Sequence, residues 1–168
     1  MTGVRIVSVG QSTLCTDYPF DAALTQTIAA AVYVVSHHVV HYGQIPFARF
    51  ARIAHAKGVP MIVEAASEYD VTGFIAGGVD IVIYSGHKFL GGSTSGIVAG
   101  RRNLVRAVYL QNIGIGRGMK VGWQSIAGVI AAMEAWMQRD HDGIRAEEEA
   151  TLTLWQGAVA GLAGIAAV

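Results

Sequence analysis

Short β-branched runs at residues 4–9, 31–35, 61–63, 81–84 and 97–99 recur along this chain, and most are separated by stretches with helical spacing. The helical stretches fall at 20–28, at 46–57 with Gly58 as a stop, at 69–76 with Gly77 and Gly78 as a stop, and at 103–110. Such alternation leaves few folds open. Parallel strands joined by crossover helices bury both faces of a sheet, which explains why these runs are continuously apolar rather than alternating. The last pair departs from the rule: the connector from Tyr84 to Ile97 is glycine-rich and has no helical pattern, so the fifth run is expected to return antiparallel. The expected fold class is α/β, with a three-layer, mixed but mostly parallel sheet followed by helices.

After Gly122, the residues Trp123, Ile126, Ala127, Ile130, Met133 and Met137 keep the spacing of one amphipathic helix, and a second is expected from about 143 to 160. The run Glu147-Glu148-Glu149 reads as a solvated face of that second helix. Residues 157–168, mostly Ala and Gly, fall short of the roughly 20 residues needed to cross a bilayer and are expected as a buried or partner-covered helix. A length of 168 residues fits one domain, read as a core over 1–121 with a helical extension of the same domain over 122–168.

With 52% hydrophobic and 14% charged residues the chain is not a disordered one. Its 12 basic and 12 acidic side chains cancel, so it offers no broad basic field, which disfavours nucleic acid as the main partner. Arg101, Arg102 and Arg106 read as a solvated helix start. Cys15 stands alone and no signal peptide is legible after Met1, so a cytoplasmic location is expected.

Ligands of open α/β sheets bind beyond the carboxyl ends of the strands. There the second run leads into Ser36-His37-His38 with His41 close by, the third into Glu64-Ala65-Ala66-Ser67-Glu68, and the fourth into Ser85-Gly86-His87-Lys88. Imidazoles, a carboxylate, hydroxyls and an amine gathered at one edge suit a charged organic ligand, because such groups are costly to bury without partners. Lys88 is the sharpest candidate, since a neutral lysine amine beside apolar Phe89 and Leu90 can form an imine, against the plainer reading of a surface turn lysine. His37 and His41 have the i, i+4 spacing of a zinc pair, but in a strand-like segment that spacing does not make one face, and no metal is expected. Gly114-x-Gly116-x-Gly118 has the wrong spacing for a dinucleotide fingerprint, and no P-loop is present.

The segment Tyr84-Ser85-Gly86-His87-Lys88-Phe89-Leu90-Gly91-Gly92-Ser93-Thr94-Ser95-Gly96 resembles the Ser-x-His-Lys turn of fold-type I pyridoxal 5'-phosphate (PLP) enzymes of the aminotransferase class V kind. Taken with Val59-Pro60-Met61-Ile62-Val63-Glu64-Ala65-Ala66 and Gly114-Ile115-Gly116-Arg117-Gly118-Met119-Lys120-Val121, it most resembles the bacterial L-seryl-tRNA(Sec) selenium transferase family and its relative D-glucosaminate-6-phosphate ammonia-lyase. The resemblance runs from about residue 5 to 156 and covers only the middle of a full-length family member. It implies the large-domain fold of those enzymes, PLP as cofactor, and a transferase or lyase that removes an α-proton from an amino acid substrate and then eliminates or replaces its β-substituent.

The resemblance also assigns roles. Lys88 would bind PLP covalently and later move the α-proton; Ser85 and His87 would bond its phosphate; Glu64 falls where the family carries an aspartate against the pyridine nitrogen. His37 or His38 would contact the ring, with His38 taken as the catalytic candidate, and Ser67 is counted among the cofactor-binding residues. Arg117 and Lys120 resemble positions that hold substrate anions. Glu64 for aspartate, Ser93 for the usual proline and Trp123 for a polar lysine are departures. A small-molecule amino acid substrate, at least a homodimer and no membrane association are implied. The alternatives are a truncated, non-catalytic piece of this fold and a phosphometabolite-binding module without imine chemistry.

Overall fold

The computed structural model describes residues 3–11, 14–35 and 43–165. Four strands form one sheet in the order β1 (Ala31–Val34), β2 (Met61–Glu64), β3 (Ile81–Ser85) and β4 (Gly96–Gly100). β1 to β3 are parallel, with Ala31 opposite Met61 and Ile62 opposite Ile81, and β4 runs antiparallel to β3 with Ser85 opposite Gly96. The expected return of the last strand is therefore present. Helices α1 (Asp17–Ala23), α2 (Phe47–Ala56), α3 (Gly73–Ala76) and α4 (Arg102–Leu110) alternate with the strands, and α5 (Trp123–Met137) and α6 (His141–Val159) follow a 3-10 turn at Ile115–Met119.

Three expectations for the first half of the chain are corrected. Residues 4–9 form no strand: Val4 and Ile6 are 78% and 86% exposed, and the sheet ends at β1. β-branched composition fits a pleated, half-buried surface and makes no strand where that surface is lacking. The first helix covers Asp17–Ala23 rather than 20–28. Pro19 lies in its first turn, where an N–H is not needed, Asp17 favours the positive helix start, and the β-branched Thr25, Thr27 and Ile28 follow its end. The helix expected over 69–76 shrinks to Gly73–Ala76 because Asp70 Oδ1 accepts from the N–H groups of Thr72 (3.2 Å) and Gly73 (2.6 Å), a local turn that competes with helix before residue 72.

The core lies between the sheet and α1–α2. Phe20 stacks on Phe50 with ring centroids 4.0 Å apart, and Tyr33 of β1 meets Phe50 edge-on at 5.0 Å. Met61, Val63 and Val82 are wholly buried, each worth about 1.5–3 kcal/mol by burial alone. The chain divides into two compact units, Met1–Met133 and Glu134–Val168. In the first, Val129 of α5 is buried, while the expected apolar stripe is largely exposed, Trp123 at 81% and Ile130 at 51%. In the second, Trp136 is buried beneath His141, whose Nε2 lies 2.8 Å from the Trp136 carbonyl, and Asp140 caps α6 by accepting from Gly143 N–H at 2.9 Å. Residues 160–165, expected as part of a covered helix, are exposed turns after the end of α6. No helix among the described residues is long and apolar enough to cross a membrane.

Candidate active site

The carboxyl ends of β2 and β3 bring two short loops together. β2 ends on Glu64, and the chain continues beside β3 through Ala65, whose N–H donates to the Ile83 carbonyl at 2.9 Å. A tight turn then closes, with Glu68 N–H donating to the Ala65 carbonyl at 3.0 Å, and Ser67 within it is 6% exposed. β3 ends on Ser85 and feeds a second turn that buried Leu90 anchors; it closes through Gly91 N–H to the Lys88 carbonyl at 3.0 Å, with Gly91 at φ +70°. Lys88 Nζ reaches across and donates to Ser67 Oγ at 3.0 Å.

Further contacts fix the two loops. Tyr69 and Phe89 meet edge-on with ring centroids 5.2 Å apart. Tyr84 O–H donates to the Asp70 carbonyl at 2.9 Å; burial first and the Asp70 charge second push this phenol up to about 12, so it remains a donor at neutral pH. α5 packs directly on the lysine turn. A Cβ at Gly86 would meet Ser95 Oγ and Val129 Cγ2, the latter at 2.6 Å, so the close approach requires glycine here.

Of the residues singled out in the sequence, Lys88 and Ser67 are in contact, and Glu64 and Ser85 share their sheet edge. His87 is exposed on the lysine turn. Glu64 Oε1 accepts from Ala66 N–H at 3.0 Å, so the side chain one methylene longer than aspartate folds back on its own loop. Arg117 lies in the 3-10 turn and Lys120 just after it, both exposed on a separate stretch. His37, His38 and His41 lie outside the described residues. Among the described residues no cluster of His, Cys, Asp and Glu could hold a metal ion.

The donor set fits PLP: a lysine amine for an aldehyde, hydroxyl and imidazole donors for a phosphate, and a carboxylate for a pyridinium, all from one sheet edge. One polar constellation escaped the sequence reading. Asp80, 4% exposed before β3, accepts from Arg101 Nη1 (2.8 Å) and Met61 N–H (2.7 Å) and pairs with His55 Nε2 (2.8 Å). An acid inside the apolar run from Val79 to Tyr84 was the available signal. The cleft of about 370 Å³ beside it lies at the other end of the sheet from Lys88, and its buried carboxylate is already satisfied by these three partners.

A family model for L-seryl-tRNA selenium transferase matches residues 1–162. The chain is 41% identical over 136 residues to a D-glucosaminate-6-phosphate ammonia lyase of Salmonella typhimurium, a match that covers 81% of this chain and 37% of the relative. It is 38% identical over 152 residues to a 5'-C-glycyluridine monooxygenase-decarboxylase of a Streptomyces species, covering 90% of this chain and 38% of that one. A solved structure of D-glucosaminate-6-phosphate ammonia-lyase superposes with TM-score 0.78 at 40% identity, over 82% of this chain and 37% of that chain. The chain thus spans less than two fifths of the length of these relatives.

Proposed function

This chain belongs to the L-seryl-tRNA selenium transferase family of fold-type I PLP-dependent proteins, and we propose that it carries the cofactor-binding core of an enzyme that takes the α-proton from an amino acid substrate and then eliminates or replaces the β-substituent. The observation that carries this reading is Lys88, placed on the turn after β3 with its amine 3.0 Å from a buried hydroxyl. When bound, PLP supplies an electron sink for the substrate α-carbon. Lys88 Nζ holds the cofactor and then takes and returns the α-proton. Ser85 and His87 would bind the phosphate, and Ser67 would act at the cofactor through the Lys88 amine it accepts from. Glu64 would pair with the pyridine nitrogen on releasing Ala66 N–H, from which it now accepts. His37 or His38 would contact the ring, with His38 the candidate to assist proton transfer, and Arg117 and Lys120 would hold substrate anions.

Both of these relatives' names contain an amino acid unit, glucosaminate or glycyl, which supports an amino acid as the small-molecule substrate. Zero formal net charge favours small-molecule elimination over chemistry on a charged tRNA. The lone Cys15 supports the cytoplasm, and an oligomer of at least two chains is part of the proposal. A second reading, cofactor binding without turnover, draws on the Glu64 carboxylate being engaged by Ala66 N–H.

Proton exchange tests both. With PLP and an amino acid panel that includes L-serine and D-glucosaminate 6-phosphate in heavy water, the chain is expected to exchange the Cα proton, and Lys88→Ala to slow this about 100-fold or more. Exchange at the parental rate in Lys88→Ala rejects the assignment. PLP bound at Lys88 with no exchange in either protein supports the second reading.

A further inference from the structure

We propose that Ser67 is the positioning residue for Lys88: its buried hydroxyl holds the lysine amine in place for capture of the cofactor aldehyde. This rests on the reading of Lys88 given above. A buried hydroxyl requires a partner, and the partner of Ser67 is an amine 21 residues further along the chain. Lys88 is exposed, and a free lysine side chain would spread over many rotamers. The hydroxyl selects one of them. Apart from this link, the two loops are held against each other by the Tyr69–Phe89 ring contact and the bond from Tyr84 O–H to the Asp70 carbonyl.

The chemistry of the acceptor matters as much as its place. Among the described residues no carboxylate pairs with the Lys88 amine, whereas Lys57 is paired with Asp21 at 3.2 Å. A carboxylate would favour the ammonium form, which cannot attack a carbonyl. A serine hydroxyl accepts from the ammonium and donates to the neutral amine, so it keeps hold of Nζ in both protonation states. Capture by the neutral amine replaces the aldehyde C=O with a C=N bond to Nζ, and the oxygen leaves with the two amine protons as one water, with Ser67 unchanged.

The experiment compares the full chain with Ser67→Ala and Ser67→Thr. The rate of covalent PLP capture is read at saturating PLP. The affinity for 4-deoxypyridoxine 5'-phosphate, which lacks the aldehyde, is read separately. Acylation of Lys88 without cofactor is mapped against Lys57 and Lys120 as internal standards. Loss of one hydrogen bond to a charged group is expected to slow capture about tenfold, leave analogue affinity within about twofold, and change Lys88 acylation about threefold relative to the two standards. Ser67→Thr, which keeps the hydroxyl, is expected to hold capture and Lys88 acylation near the parental values, with analogue affinity again unchanged.

Unchanged capture and unchanged Lys88 acylation in Ser67→Ala overturn the proposal. A joint fall of capture and analogue affinity also overturns it, because the hydroxyl would then hold the cofactor and not the amine. If the parental chain captures no PLP on Lys88, the reading of the site fails; a changed acylation in Ser67→Ala still supports the tether, and an unchanged one removes it.

Discussion

At the amino-terminal edge of the sheet Asp80 is 4% exposed and both of its carboxylate oxygens are engaged, whereas at the carboxyl-terminal edge Lys88 is exposed and holds a single hydroxyl. Both groups are charged side chains in loops that adjoin β3. The first is bonded to three elements, since Arg101 follows β4, Met61 begins β2 and His55 lies on α2. Burial pushes the Asp80 carboxyl up, but the bonds from Arg101, Met61 N–H and His55 outweigh it and leave the group below its ordinary value of 3.8. A charge satisfied on every side ties strands together and has little left to offer a ligand. A charge with one neutral, two-way partner can leave it, and that is what a group requires if it is to react.

The strongest test of this contrast is Asp80→Asn. It should cost about 2–4 kcal/mol in denaturant unfolding, because it weakens charge-assisted bonds to a buried site, while leaving PLP capture by Lys88 intact below the unfolding transition. Loss of capture in the folded variant would break the separation of the two edges. Gly86→Ala works from the other end. The added methyl meets Ser95 and Val129, so stability should fall by about 1–3 kcal/mol, and capture at Lys88 should fall with it, because the turn itself must shift.

The smallest effect is expected in acid. A carboxyl lowered in the folded state contributes stability above its unfolded value and loses it as pH falls through the folded value, so the Asp80 contribution should be present at pH 5 and above and decline below about pH 4. Urea midpoints across that range should fall less steeply in Asp80→Asn than in the parental chain; equal slopes would remove Asp80 from the acid limb.

The sheet was legible where the chain states it locally. Four apolar runs became β1 to β4, and the glycine-rich connector announced the antiparallel return of β4. Residues 4–9 carry the same composition and form no strand, since strand formation needs a neighbouring edge as well as suitable side chains. The shortening of α3 depended on the Asp70 side chain bonding Thr72 and Gly73, a competition that hydrophobic spacing does not register. The lysine turn was recognised from its motif. The meeting of Lys88 with Ser67 was not, because it depends on two loops that close independently. Likewise the fold-back of Glu64 onto Ala66 follows from one extra methylene and the path of its loop, which only the three-dimensional course of the chain supplies.

The most direct test of Lys88 as the reactive group is borohydride reduction of the full chain with PLP, followed by peptide mapping. The chain has three lysines, Lys57, Lys88 and Lys120, so the map is unambiguous. A pyridoxyl group on Lys88 in near-stoichiometric yield, with Lys57 and Lys120 essentially unmodified, is the result predicted here. Label spread evenly over the three lysines, or absent from Lys88, would contradict it.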